Sequence, residues 1–161
     1  MKTYQIYIDS SLAINAGTGG SQRFYKFDWN ILPEGEYEMS FTFMSQLQKL
    51  TNAQAEALTY PIEIAIDVPF SRNSYKVQNK DDEIGFAGGT NLTGLLEIKD
   101  QHKSSSHTMR LLVADQTTNA PVSLIGRPQG MDFRVSVFAH TGIVPANDPN
   151  YNMVINLKHI C

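Results

Sequence analysis

Four histidines, a run of carboxylates, a single cysteine and a glycine-rich stretch are the residues of this chain whose types could do chemistry. His102 and His107 stand closest, five positions apart in a serine-rich segment. Metal-ligand pairs sit two apart on a strand or four apart on a helix, so this spacing has no scaffold and reads as solvated loop histidines. His140 and His159 fall at strand ends, where a fold could bring them together, though nothing in the sequence requires it. Asp81-Asp82-Glu83 is the densest carboxylate cluster and could hold calcium if loop carbonyls joined it. It lacks the alternating ligand spacing and central glycine of a calcium loop, and the adjacent Lys80 repels a cation. The segment therefore reads as a solvated turn. Cys161 has no neighbouring base to make it a nucleophile and no second cysteine to pair with inside the chain, which leaves an intermolecular disulfide as its one possible bond.

The stretch Asn15-Ala16-Gly17-Thr18-Gly19-Gly20-Ser21 invites comparison with a phosphate-binding loop. Such a loop needs a Lys-Ser/Thr pair after its last glycine and then a helix, whereas Ser21-Gln22-Arg23 opens a strand. Residues 10–21 are expected to form a flexible loop or arm. No Gly-x-Ser-x-Gly pentapeptide marks a hydrolase nucleophile. The expectation is a protein that is not an enzyme, with no catalytic or metal-ligating residues and no cofactor. Aromatics raise a different possibility, because β-sandwich lectins stack sugars on exposed rings. Tyr25, Trp29, Tyr60, Tyr75 and Tyr151 are the candidates for such a platform. Core packing is the preferred reading, since Tyr25 and Trp29 share a face with Phe27 and large aromatics supply much of the buried area in sandwiches.

These side chains must be placed by strands. In Tyr37–Phe43, Tyr37, Met39, Phe41 and Phe43 fall on one side and Glu38, Ser40 and Thr42 on the other. Burying each such apolar side chain is worth roughly 1.5–3 kcal/mol, so the register is firmly set. The same alternation marks residues 3–9 (Tyr4, Ile6, Ile8), 22–29 (Tyr25, Phe27, Trp29) and 62–68 (Ile62, Ile64, Ile66, Val68). It returns at 132–139 (Phe133, Val135, Val137) and 151–159 (Tyr151, Met153, Ile155, Leu157). Thr108–Ala114 is expected to turn Met109, Leu111 and Val113 inward. Weaker candidates are 75–77, 83–87, 95–98 and 122–125, while residues 99–107 read as a polar loop. Leu32-Pro33-Glu34-Gly35 supplies a turn. The one helix runs from Thr51 to Leu58, opened by a capping box of Thr51 and Gln54 and too short to persist without packing.

About eight to ten short strands, one helix and no βαβ spacing argue for an all-β fold, an antiparallel two-sheet sandwich of jelly-roll type. The long connection from His140 to Asn150 suits a strand that changes sheets. At 161 residues the chain is read as a single β-sandwich domain spanning 1–161, large enough to bury about two thirds of its unfolded surface without metal or disulfide. A formal charge of −3 provides no basic stripe, so no direct nucleic-acid partner is expected. Polar residues interrupt the N-terminal segment before a secretory signal could form, and no apolar run is long enough for a transmembrane segment. A soluble compartment is expected, and the sequon Asn91-Leu92-Thr93 then reads as a chance tripeptide.

The opening, from Ile8-Asp9-Ser10-Ser11 through the glycine-rich stretch to Phe27-Asp28-Trp29-Asn30-Ile31-Leu32-Pro33-Glu34-Gly35 and the strand to Phe43, resembles the start of small β-sandwich virion proteins of large double-stranded DNA viruses. The closing strands Phe133-Arg134-Val135-Ser136-Val137 and Tyr151-Asn152-Met153-Val154-Ile155-Asn156-Leu157, separated by a polar proline-containing loop, are similar in style. The resemblance implies a minor capsid protein with a jelly-roll-like sandwich that joins or cements capsomers of an icosahedral shell. Its partners would be the major capsid protein and neighbouring minor capsid proteins. It would be located in the virion after synthesis in the host cytoplasm, and would have no active site. A carbohydrate-binding sandwich is the alternative reading.

Overall fold

The computed structural model describes residues 1–15, 22–57, 62–68, 93–115, 119–139 and 150–160. Within them lie ten antiparallel strands and one short helix: β1 Thr3–Asp9, β2 Gln22–Lys26, β3 Tyr37–Ser45, β4 Gln48–Thr51, α1 Asn52–Ala57, β5 Ile62–Asp67, β6 Gly94–Lys103, β7 His107–Ala114, β8 Val122–Leu124, β9 Asp132–Ala139 and β10 Tyr151–His159. Single 3-10 turns form at Ser10–Leu12 and Trp29–Ile31, each entered through an aspartate, Asp9 or Asp28, whose carboxylate accepts a backbone N–H two residues on. The all-β, sandwich-like architecture read from the alternation is the one found.

The hydrogen-bonded path runs β1-β10-β3-β7-β6-β5-β9-β2, with β4 added on β7 and β8 on β3. It curls into two layers because β6 serves both. Residues 94–96 pair with 62–64 of β5; from Glu97 onward β6 pairs with β7, with an irregularity between Ile98 and Asp100. An extra residue on one strand bends it and tightens its twist, which is what a strand turning a corner needs. At the start of β6, Asn119 completes the pairing with its side chain, accepting from Leu95 N at 2.8 Å and donating to Leu95 O at 3.1 Å. The approach is so close that a Cβ on Gly94 would stand 2.6 Å from Asn119 Oδ1 and 2.9 Å from the Phe41 ring.

The core lies between the layers. From one come Ile6, Ile8, Met39, Phe41, Phe43, Met153, Ile155 and Leu157; from the other come Tyr25, Phe133, Val135, Val137, Ile64 and Ile66. Register locks the first layer, with Phe41 facing Ile155, Phe43 facing Met153, and Ile6 facing Ile155 from the other side. In β3, β9 and β10 the inward residues are those expected from the alternation.

Elsewhere the expectations are corrected. In β7 the buried residues are Thr108, Arg110, Leu112 and Ala114, while Met109, Leu111 and Val113 are half-buried on the other face. Apolar residues occupy both faces of this segment, so periodicity alone left its phase open. Pairing decides it: Ala114 stands opposite Phe43, which points into the core, and directly opposed residues share a face. Residues 99–103, read as polar loop, continue β6, and only 104–106 turn the hairpin into β7. β4 was not anticipated. β2 ends at Lys26, and Trp29 reaches the core from a 3-10 turn rather than from the strand. In β5 both faces are covered, so Glu63 and Ala65 are buried with the isoleucines. The helix begins as expected: Gln54 N donates to Thr51 Oγ1 at 3.2 Å, and Thr51 N donates to Gln54 Oε1 at 2.9 Å. The strand candidates at 75–77 and 83–87 lie outside the described residues.

Candidate interaction edge

The two ends of the curled sheet, β1 and β2, are treated differently by the chain. Each pairs with one strand, β1 with β10 and β2 with β9. On β2 the ladder bond from Phe27 N to Met131 O fixes the phase, so Gln22, Phe24 and Lys26 direct their backbone groups away from β9. The segment just before β2 takes those groups up. Ile14 N donates to Phe24 O at 2.7 Å, Phe24 N donates to Asn15 Oδ1 at 3.1 Å, and Asn15 Nδ2 donates to Gln22 O at 2.9 Å. Asn15 thus stands in for a neighbouring strand. Residues 10–15, placed in the expected arm, are held by these bonds and by the 3-10 turn; residues 16–21 lie outside the described residues.

On β1 nothing comparable is found among the described residues. His159 N donates to Lys2 O at 2.8 Å, which sets the phase of the ladder: Tyr4, Ile6 and Ile8 bond to β10, and the N–H and C=O groups of Thr3, Gln5, Tyr7 and Asp9 point outward. Natural edges are blunted by lysine, proline, bulges or covering loops. Between Thr3 and Ile8 β1 carries no charge, glycine or proline, and its pairing with β10 has no irregularity. Tyr7, on its outer face, is 73% exposed.

Beside this edge lies a mostly apolar groove of about 390 Å³, lined by Ile6, Ile8, Leu12, Ile14, Tyr25, Phe27 and Phe133 together with Tyr7 and Lys26. Leu12 and Ile14 are largely exposed. Polar contacts stitch the two sheet ends together. Arg23 donates to Ser10 O at 3.0 Å and to Asn150 Oδ1 at 3.2 Å, and its guanidinium lies 5.8 Å from the centre of the Tyr151 ring. Ser10 Oγ accepts from Tyr151 N at 3.0 Å, and Tyr25 OH donates to Tyr151 OH at 2.8 Å. Burial pushes the Tyr25 phenol above its ordinary pKa, and the bond to Tyr151 offsets part of that rise.

The residues singled out for chemistry are not brought together. His102 lies exposed on β6; His107 begins β7 with Nδ1 2.9 Å from Ser106 Oγ; His159 Nε2 is 3.1 Å from Glu34 O, with its ring against Tyr37. His140, Asp81, Asp82, Glu83 and Cys161 lie outside the described residues. Among the described residues no three His, Cys, Asp or Glu side chains are grouped to hold a metal ion, and no helix is long and apolar enough to cross a membrane.

Of the aromatic platform candidates, Trp29 has no exposed surface, and Tyr25 and Tyr151 are buried. Trp29 Nε1 donates to Asp132 O at 3.0 Å, and its ring meets Phe27 and Phe133 edge-on. Tyr60 and Tyr75 lie outside the described residues.

The sequence marked residues 3–9 as a strand but could not mark it as an edge, because its neighbour β10 is distant in the chain. The one local signal was the unbroken neutrality of Thr3–Ile8. Compared with known proteins, the chain matches no family model, no curated protein and no solved structure.

Proposed function

We propose that this protein is a non-enzymatic structural component that works by holding neighbouring protein subunits together, as a minor capsid component joining capsomers of an icosahedral double-stranded DNA virus. The observation that carries the contact role is the β1 edge, which no other described residue covers, beside an apolar groove with Tyr7, Leu12 and Ile14 exposed around it. Unpaired strand edges accept further strands, and exposed apolar patches mark contact sites. The viral setting, with synthesis in host cytoplasm and residence in the virion, rests on the resemblance of residues 8–43, 133–137 and 151–157 to small virion sandwich proteins.

Quantitative mass spectrometry of purified particles, scaled to the major capsid protein, tests the reading. A fixed copy ratio is expected, and absence from particles would remove the capsid role.

A further inference from the structure

We infer that β1 pairs edge to edge with β1 of a second copy of this chain, antiparallel about a two-fold axis through Ile6. The inference rests on the reading of this edge as a contact surface and names its partner. Three observations select a second copy.

The first is charge. β1 is flanked by one cation, Lys2, which makes no ion pair among the described residues, and closes on one anion, Asp9, which accepts from Ser11 N and Oγ at the exposed end of the strand. An antiparallel copy sets the Lys2 end of one strand against the Asp9 end of the other, and like charges never meet.

The second is register. With Ile6 on the axis, all seven residues of Thr3–Asp9 are paired: Thr3 with Asp9 of the second copy, Gln5 with Tyr7, Tyr7 with Gln5 and Asp9 with Thr3. These four are the residues whose backbone groups point outward, so each faces a group able to complete its bonds. A slip of one residue would set outward backbone groups against groups already bonded to β10, and would mismatch the faces.

The third is the match between faces. Tyr4, Ile6 and Ile8 lie on the inner face, and opposite them come Ile8, Ile6 and Tyr4 of the second copy, so the apolar layer runs on across the axis. On the outer face the exposed Tyr7 ring comes to rest against Gln5. The β2 edge offers no such template, since Ile14 and Asn15 already occupy it.

The test is sedimentation equilibrium over a micromolar range on the wild-type chain and two double variants, with circular dichroism and melting to check that each is folded. Gln5 and Tyr7 are both exposed, so neither change enters the core. Gln5→Lys with Tyr7→Lys places lysine opposite lysine at two symmetric positions and should weaken the dimer about tenfold or more. Gln5→Lys with Tyr7→Glu places lysine opposite glutamate in this register alone, and should restore association.

A wild-type chain that stays monomeric throughout overturns the pairing, as does a Lys/Glu variant no better associated than Lys/Lys. A monomer whose Gln5 and Tyr7 amides become protected from hydrogen exchange only when the major shell protein is added overturns it in favour of a strand from another chain. A monomer present in particles at fixed ratio would overturn this pairing and leave the structural role standing. A dimer absent from particles would leave the pairing and remove the capsid role.

Discussion

The phenol of Tyr25 donates to the phenol of Tyr151 across 2.8 Å, joining β2, at one end of the curled sheet, to β10, one strand from the other end. Each ring is fixed within its own layer, Tyr25 stacked on Phe133 at 5.4 Å and Tyr151 against Phe43 at 4.9 Å. The bond satisfies two hydroxyls that would otherwise be buried at the expense of hydration.

Tyr25→Phe should therefore cost about 1 kcal/mol at neutral pH, through loss of that bond. It should also change the alkaline limb. A phenol whose folded pKa is raised resists ionisation in the folded state, so the unfolded chain gives up its proton first. Stability is full below the ordinary value of 10.0 and falls as pH rises through it. Urea unfolding at neutral pH and at about pH 11 should show a smaller alkaline loss for Tyr25→Phe than for the wild type. An equal loss would show that Tyr25 ionises alike in both states.

Trp29 has no exposed surface and rests between Phe27 and Phe133. Its fluorescence should be blue-shifted and indifferent to added mono- and oligosaccharides. Trp29→Ala should cost about 3–5 kcal/mol. An emission maximum near that of free tryptophan, moved by a glycan, would return this ring to the role of a sugar platform.

Gly94→Ala is a test of the corner. Its new methyl would collide with Asn119 Oδ1 and the Phe41 ring, both held in place, so a loss of about 1–3 kcal/mol is expected in melting or denaturant titration. The amide of Leu95, which donates to Asn119, should exchange faster in the variant.

Asn15→Ala should bare the β2 edge. Two side-chain bonds are lost, to Phe24 N and Gln22 O, and the Phe24 amide should exchange with solvent markedly faster. The stability cost should be about 1 kcal/mol, because water replaces both partners at an exposed site. A greater tendency to aggregate than that of the wild type is expected to accompany it.

How far the fold could be read depended on how one-sided each strand was. β3 and β10 were legible because every other residue is apolar and, apart from Met44 and Val154, the intervening ones are polar, so one phase of the pleat is far better than the other. β7 was not, since Met109, Leu111 and Val113 compete with Leu112 and Ala114, and only the pairing of Ala114 with Phe43 settles the contest. The second half of β6 was hidden for the opposite reason. From Lys99 to Lys103 both faces are wet, and backbone bonds to β7, which leave no trace in composition, keep it in the ladder. The capping box of Thr51 and Gln54 was visible because it is local. The interaction edge was legible as a strand and illegible as an edge, because being an edge depends on what every other strand has paired with. Trp29 was rightly placed in the core, though by a turn rather than the strand assigned to it.

The pairing of Thr3–Asp9 with residues 152–158 sets an order of events during synthesis. β10 lies between β1 and β3, so neither can complete its ladder until residues 151–159 have left the ribosome. Until then β1 has no partner among the described strands, whereas β3 can already pair with β7 and β8, and closing the long loop that brings β10 to β1 is entropically slow. Closure of this layer therefore falls to a single late strand, which slides between two made long before it and joins them into one continuous sheet.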